Sequence, residues 1–198
     1  METFDAVLFD LFGTLVTDRA DAIEGAPELL RTMPEGRWAI VTSCPRGLAE
    51  TLIRHAGLPA PRLIVSSDDV QRSKPAPDCY ALAAQRLGAE PARCLVVEDS
   101  RQGVAAGVAA GMTVVAVARG RSFALERGDV RVVSELRHLQ LEITQSGAIA
   151  LRELRLAGPS GPRVTRRLRD SVPAAVRSAR DSGASAACSA ALARAAAA

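Results

Sequence analysis

Six short apolar runs, recurring through the first two thirds of the chain, constrain its fold more than any other feature. They are Ala6–Phe9, Trp38–Val41, Leu63–Val65, Cys94–Val97, Thr113–Val117 and Val130–Val133. Each is continuous rather than alternating, which is the pattern of a strand buried on both faces, as in parallel sheets. Helical spacing fills the intervals. Leu48, Leu52, Ile53 and Ala56 share one helical face, as do Tyr80, Ala83, Ala84 and Leu87,. Gly57, Gly88 and Gly111 each stand where such a helix should stop before the next strand,. This repetition predicts an α/β fold with a doubly wound parallel sheet, in which ligands bind beyond the carboxyl ends of the strands.

The polar residues at those ends are therefore the candidates for chemistry. They are Asp10, Thr42 with Ser43, Ser66 to Asp69, and Glu98 with Asp99. Carboxylates ending central strands need partners, because an unpaired buried charge is costly. If the strands ending at Asp10 and Asp99 are neighbours, three carboxylates meet, and a hard cation such as Mg²⁺ relieves their repulsion. Capping of the following turn or helix explains any one of these acids equally well. Thr42 and Ser43 precede Pro45, which suits a helix start with hydroxyls and free N–H groups facing an anion. Asp68 and Asp69 either rim the site or cap a helix.

Composition sharpens one further candidate. Of the 25 basic residues, 24 are Arg and one is Lys74. It lies in Arg72-Ser73-Lys74-Pro75-Ala76-Pro77-Asp78, where two prolines restrain the backbone just ahead of a helix,. A compact ammonium in a chain that otherwise uses Arg suits a tight site needing a point donor. Together these residues fit phosphoryl transfer, with Asp10 as nucleophile and Thr42 and Lys74 neutralising the transferred oxygens.

Four ordered segments give the chain a resemblance to the haloacid dehalogenase-like hydrolase superfamily, above all its sugar-phosphatase and phosphoglycolate-phosphatase members. Phe9-Asp10-Leu11-Phe12-Gly13-Thr14-Leu15 resembles the nucleophile loop, and Val41-Thr42-Ser43 the phosphate-binding motif. Ser73 to Asp78 resembles the lysine motif, and Val96-Val97-Glu98-Asp99-Ser100 the acidic metal motif. The resemblance covers roughly residues 4–155. It implies Asp10 as nucleophile and metal ligand, and Thr42, Ser43 and Lys74 as the phosphate-binding set. Asp99, Glu98 and the main-chain carbonyl of Phe12 complete the Mg²⁺ site.

Two departures divide the functional reading. Members that are phosphatases carry a second aspartate, the general acid and base, where this chain has Phe12. General acid–base catalysis contributes about 10²–10⁴-fold, and dehalogenase members have an aromatic residue at this place and use no metal. Second, 31 residues lie between Asp10 and Thr42, enough for a crossover with a helix at Ala26–Met33 and a flap at Thr14–Gly25, but not for the usual helical cap. The open site leaves three arrangements: a large substrate brings its own cover, a second copy of the chain covers it, or cap and activity were lost together. The expected function is a Mg²⁺-dependent phosphomonoester hydrolase, acting on a phosphorylated small molecule or a larger phosphorylated substrate. The alternatives are an inactive binding or scaffold protein and a metal-independent carbon–halogen hydrolase.

Other classes recede. The longest apolar run, Val104–Ala118, is too short and glycine-interrupted for a membrane span,. No basic leader opens the chain, and Cys44, Cys79, Cys94 and Cys188 show no metal-binding spacing, so reduced thiols and a cytoplasmic location are expected,. Composition breaks near Gly158. Residues 157–198 hold 14 Ala and 7 Arg with no aromatic, and carry +5 of charge, leaving −2 on residues 1–156. The expectation is one α/β unit over 1–156 and an Ala/Arg-rich disordered tail over 157–198. Without Arg clustering or interleaved aromatics, nucleic acid is not the expected partner of that tail.

Overall fold

The alternation of apolar runs and helices becomes two layers of helix around one sheet. The computed structural model describes residues 2–121 and 130–154; the tail at 157–198 lies outside them. The strands are β1 (Glu2–Phe4), β2 (Ala6–Phe9), β3 (Trp38–Val41), β4 (Ile64–Val65), β5 (Cys94–Glu98), β6 (Thr113–Val117), β7 (Val130–Val133), β8 (Leu139–Ile143) and β9 (Ile149–Leu154). The helices are α1 (Ala26–Thr32), α2 (Arg46–His55), α3 (Asp78–Leu87) and α4 (Arg101–Ala109). Six strands form a parallel sheet in the order β4-β3-β2-β5-β6-β7.

The continuous apolar runs have a direct cause. Along β2, Val7 and Phe9 enter the core on one face, while Ala6 and Leu8 enter the core on the other. On the first face α1 and α2 bring Ala26, Leu30, Leu52 and Ile53; on the second α3 brings Tyr80, Ala83 and Ala84, and α4 brings Val104 and Ala106. Trp38 fills space on the first face, its ring edge-on to Phe9 with centroids 6.3 Å apart,. Strand order reverses between β2 and β5: the chain runs outward through β3 and β4, then returns to β5 and continues to β7. That reversal is where a doubly wound sheet opens a crevice. The β2–β5 register pairs Phe9 with Val97, which sets Asp10 beside Glu98.

Two findings differ from expectation. The strand formed by the fourth run extends to Glu98, so that carboxylate belongs to the sheet rather than to the loop after it. A second sheet, antiparallel in the order β1-β9-β8, flanks the core and was not foreseen. Its Phe4, Leu139, Ile149 and Leu151 join the first core, but β1 is three residues long and β8 is largely exposed, so neither shows a clear pattern. Cys79 and Cys94 are buried free thiols. No helix among the described residues is long and apolar enough to cross a membrane.

Between Thr14 and Gly25 the chain makes only a turn-rich flap. Val16 bridges Phe12 on one side and Ala22 on the other, and Ile23 N donates to Leu15 O at 2.8 Å. The flap packs its own apolar residues Leu15, Val16, Ala20 and Ile23 into the first core and supplies no cap over the strand ends.

Candidate active site

Three carboxylates meet at the crevice. Asp10, Glu98 and Asp99 are all buried, and each offers an oxygen within 4.8 Å of the others. Asp10 is fixed by its backbone, whose N–H donates to Val97 O at 2.9 Å, extending the β2–β5 ladder by one step. Lys74 joins the group from the loop before α3, across the cis Lys74–Pro75 peptide. Its Nζ donates to Asp10 Oδ1 at 2.5 Å, Glu98 Oε1 at 2.7 Å and Val41 O at 3.0 Å, using all three of its protons,. It also lies 4.9 Å from the centre of the Tyr80 ring,. The side chain is 4% exposed, so the chain's one lysine is a buried site residue.

Glu98 organises this cluster. Oε1 accepts from Lys74 and from the Tyr80 hydroxyl at 3.0 Å. Oε2 accepts from Asp99 N at 2.9 Å and from both Ser100 N and Ser100 Oγ at 3.0 Å. Ser100 Oγ in turn accepts from Gly103 N at 3.0 Å, capping α4,. A Cβ on Gly103 would lie 1.6 Å from Glu98 Oε1, so only glycine leaves room for the carboxylate there. Asp99 accepts from Thr14 Oγ1 at 3.2 Å and pairs with Arg121. Gly13, with φ +93°, is required twice over: by that backbone and because its Cβ would meet Asp99 Oδ2 at 2.2 Å,.

Burial pushes the Asp10 carboxyl well above its ordinary range; the charges of Glu98 and Asp99 add to the shift, and Lys74 only partly opposes it. Burial and Glu98 likewise raise Asp99, against the pull of Arg121 and Thr14. Lys74 moves the other way: burial would lower it, but Asp10 and Glu98 outweigh burial and hold it firmly protonated. Tyr80 is raised by burial and then by the neighbouring acids, so its hydroxyl stays a donor.

The donor set fits a hard divalent cation. Among the described residues these three carboxylates pair with two cations, Lys74 and the half-exposed Arg121, and glycine stands at both positions where a Cβ would fill the space around the carboxylates. Hard oxygen ligands in this number suit Mg²⁺, and a bound cation would reverse the upward shift of the acids.

A shallow cavity of about 80 Å³ opens beside Asp10, lined by Phe12, Thr42, Ser43, Cys44, Lys74, Ser100 and Gln102. Every expected site residue is therefore gathered here: Asp10, Phe12, Thr42, Ser43 and Lys74 at the cavity, and Glu98 and Asp99 in the carboxylate cluster behind it. Thr42 Oγ1 accepts from Cys44 N at 3.1 Å, which orients the hydroxyl loop. The expected anion site at the start of α2 is occupied from within, since Arg46 N donates to Asp68 Oδ2 at 2.8 Å. Asp68 and Asp69 thus cap rather than rim. Asp69 closes a reciprocal cap with Ser66 and pairs with Arg46 and Arg86.

Four participants were not singled out from sequence: Tyr80, Thr14, Arg119 and Arg121. Tyr80 carried a signal, since the chain's one tyrosine was placed on a buried helical face, where its hydroxyl needs a partner,. The arginines carried none among 24.

A doubly wound sheet whose switch point holds three buried carboxylates and a buried lysine defines a hydrolase core of the haloacid dehalogenase type. The comparisons agree. Residues 16–111 match the family model for haloacid dehalogenase-like hydrolases. A haloacid dehalogenase family hydrolase from Deinococcus radiodurans, solved with bound phosphate and sodium, is 30% identical. That match covers 58% of this chain and 80% of the other, with a TM-score of 0.53. Hexitol phosphatase A of Escherichia coli is 46% identical over 103 residues, 51% of this chain and 48% of that protein. Fructose-1-phosphate phosphatase YqaB of E. coli is 42% identical over 80 residues, 40% of this chain and 43% of that protein. The chain belongs to the haloacid dehalogenase-like hydrolases. It spans about half the length of the curated relatives it matches.

Proposed function

We propose that this chain is a Mg²⁺-dependent phosphatase that hydrolyses a phosphorylated small molecule through an aspartyl-phosphate on Asp10. The observation that carries the reading is the Lys74 bridge, which ties Asp10 to Glu98 at 2.5 and 2.7 Å beside a cavity lined with hydroxyls. Its relatives include proteins named hexitol phosphatase and fructose-1-phosphate phosphatase, which supports a phosphorylated small molecule as the substrate class.

In this reading Asp10 attacks phosphorus, and Lys74 exchanges one of its three present acceptors for a phosphoryl oxygen. Thr42 and Ser43 donate to the remaining oxygens, as developing charge on the phosphoryl group demands. Glu98 holds the ammonium in place and does not attack, because both its oxygens are already hydrogen-bonded. Asp10, Asp99 and the Phe12 carbonyl, helped by Glu98, would hold Mg²⁺, which would supply charge neutralisation for the incoming phosphoryl group. The working unit is residues 1–156 in the cytoplasm, with 157–198 as an appendage and a second copy of the chain as one way of covering the open site.

The test is turnover of an aryl phosphate with Mg²⁺ by the full chain. Activity lost in Asp10→Asn supports the reading; equal turnover by that variant sinks it. The scaffold reading draws on Phe12, which lines the cavity where a proton donor would stand. It predicts no hydrolysis by the natural chain, even of substrates that need no proton donor. The metal-independent dehalogenase reading predicts halide release from a 2-haloacid in EDTA, and it leaves three buried carboxylates without a purpose.

A further inference from the structure

A second cleft adjoins the phosphate cavity. It is about 320 Å³, shares Phe12 and Ser100 with that cavity, and is otherwise lined by Gly13, Asp18, Asp99, Arg119 and Arg121. The two arginines stand on a tight turn after β6. Arg121 N donates to Ala118 O at 2.8 Å, and both central residues have positive φ, 44° at Arg119 and 79° at Gly120,. A non-glycine residue in this region is strained, and such strain persists only where the surroundings fix it. They do here: Ala118 N donates to Val133 O and Arg119 N to Ser134 O, both at 2.8 Å, tying the turn to the end of β7. From it Arg119 Nη1 reaches Gly13 O at 3.2 Å, and Arg121 pairs with Asp99. Arg121 remains about half exposed, so its guanidinium also faces the cleft.

The cleft holds two acids and two guanidiniums, and of the acids Asp99 is already engaged by Thr14 and Arg121. Next to the nucleophile stands a phenyl ring, which gives no proton, and beyond it two guanidiniums, which stay protonated and stabilise anions. Resting on the phosphatase reading above, we propose that the site is matched to substrates whose leaving group departs as a stable oxyanion, with Arg119 and Arg121 receiving its charge. Acyl phosphates and phosphoanhydrides share this property. In the first step an Asp10 carboxylate oxygen bonds to phosphorus, the bond from phosphorus to the leaving oxygen breaks, and its electron pair stays on the departing carboxylate or phosphate. No proton is required. In the second step water attacks the phosphoryl group and Asp10 leaves as a carboxylate; one proton of the water stays on the attacking oxygen and the other passes to a second phosphoryl oxygen of the product.

The experiment compares acetyl phosphate, pyrophosphate and glycerol 3-phosphate on the full chain with Mg²⁺, in the natural sequence and in Phe12→Asp. The ratio of kcat/KM for acetyl phosphate over glycerol 3-phosphate is expected to fall by about 10²-fold or more in the variant, which regains an acid. An unchanged ratio overturns the proposal. If Phe12→Asp hydrolyses glycerol 3-phosphate while the natural chain hydrolyses none of the three, the site is a competent phosphatase and this inference alone fails. If neither protein hydrolyses anything, the phosphatase reading falls and takes the inference with it. Should Asp18→Asn abolish turnover of glycerol 3-phosphate and spare acetyl phosphate, a proton donor exists and the proposal is wrong. Binding gives an independent readout. Asp10→Asn, titrated with Mg²⁺ and pyrophosphate in a calorimeter, should lose about 10-fold in affinity on adding Arg119→Ala or Arg121→Ala. Orthophosphate should lose less; equal losses for both anions would remove the arginines from the leaving-group role.

Discussion

Asp69 and Asp10 stand near the carboxyl ends of strands in one sheet, with side chains exposed to a similar degree, 13% and 10%, yet their acidities move in opposite directions. Burial alone would raise both. At Asp69 it is outweighed by donors from Ser66 N and Oγ, by Arg86 and by Arg46, which hold its carboxyl well below the usual range. At Asp10 burial wins, because the one lysine at hand is shared with Glu98 and a third carboxylate stands nearby. Asp10 lies deeper than Asp69, and it also has fewer cations per carboxylate. A folded chain that leaves three buried acids short of positive charge has kept a cluster that costs stability, as active sites do.

That contrast can be broken first at Asp10, the proposed nucleophile. Asp10→Asn should lower aryl-phosphate hydrolysis by more than about 10³-fold. The same change should raise the melting temperature of the protein in EDTA, because it removes one of the crowded charges. Glu98→Ala comes next. It leaves Lys74 and Tyr80 without a buried partner and should cost about 3–5 kcal/mol in urea unfolding, with Glu98→Gln costing less.

The pH dependence should then separate the two regions by sign. Asp10 and Asp99 bind protons more tightly folded than unfolded, so their contribution is present below the ordinary carboxyl value of 3.8 and is lost as pH rises through their raised values,. Melting of the EDTA-treated protein should therefore worsen with rising pH above about 4, and less so in Asp10→Asn. Asp69 behaves conversely: its contribution is present above 3.8 and disappears as pH falls through its lowered value,. The smallest effect is Asp69→Asn at neutral pH, about 1–2 kcal/mol, because Arg46 and Arg86 are partly exposed and recover water,.

The central sheet was legible because burial on both faces removes polar residues from a strand. The runs at Ala6–Phe9, Trp38–Val41, Thr113–Val117 and Val130–Val133 coincide with strands to the residue. The antiparallel sheet was not, since Glu2 and Thr3 are half-buried and β8 presents mixed residues to water. In the site, Asp10, Glu98 and Asp99 could be read because strand ends are fixed by the strands, and Lys74 because it was singular. Arg119 and Arg121 could not. Their position depends on a turn of two positive-φ residues, and an Arg-Gly-Arg triplet in an arginine-rich chain looks like surface.

The buried lysine has a practical consequence. Since the chain contains no other, an amine-selective reagent has just two targets in it, the terminal amino group and Lys74. Labelling at position 74 can occur only when the ammonium leaves Asp10, Glu98 and the Val41 carbonyl. The rate of that single mass increment is thus a built-in clock for opening of the crevice, and no probe need be introduced to read it.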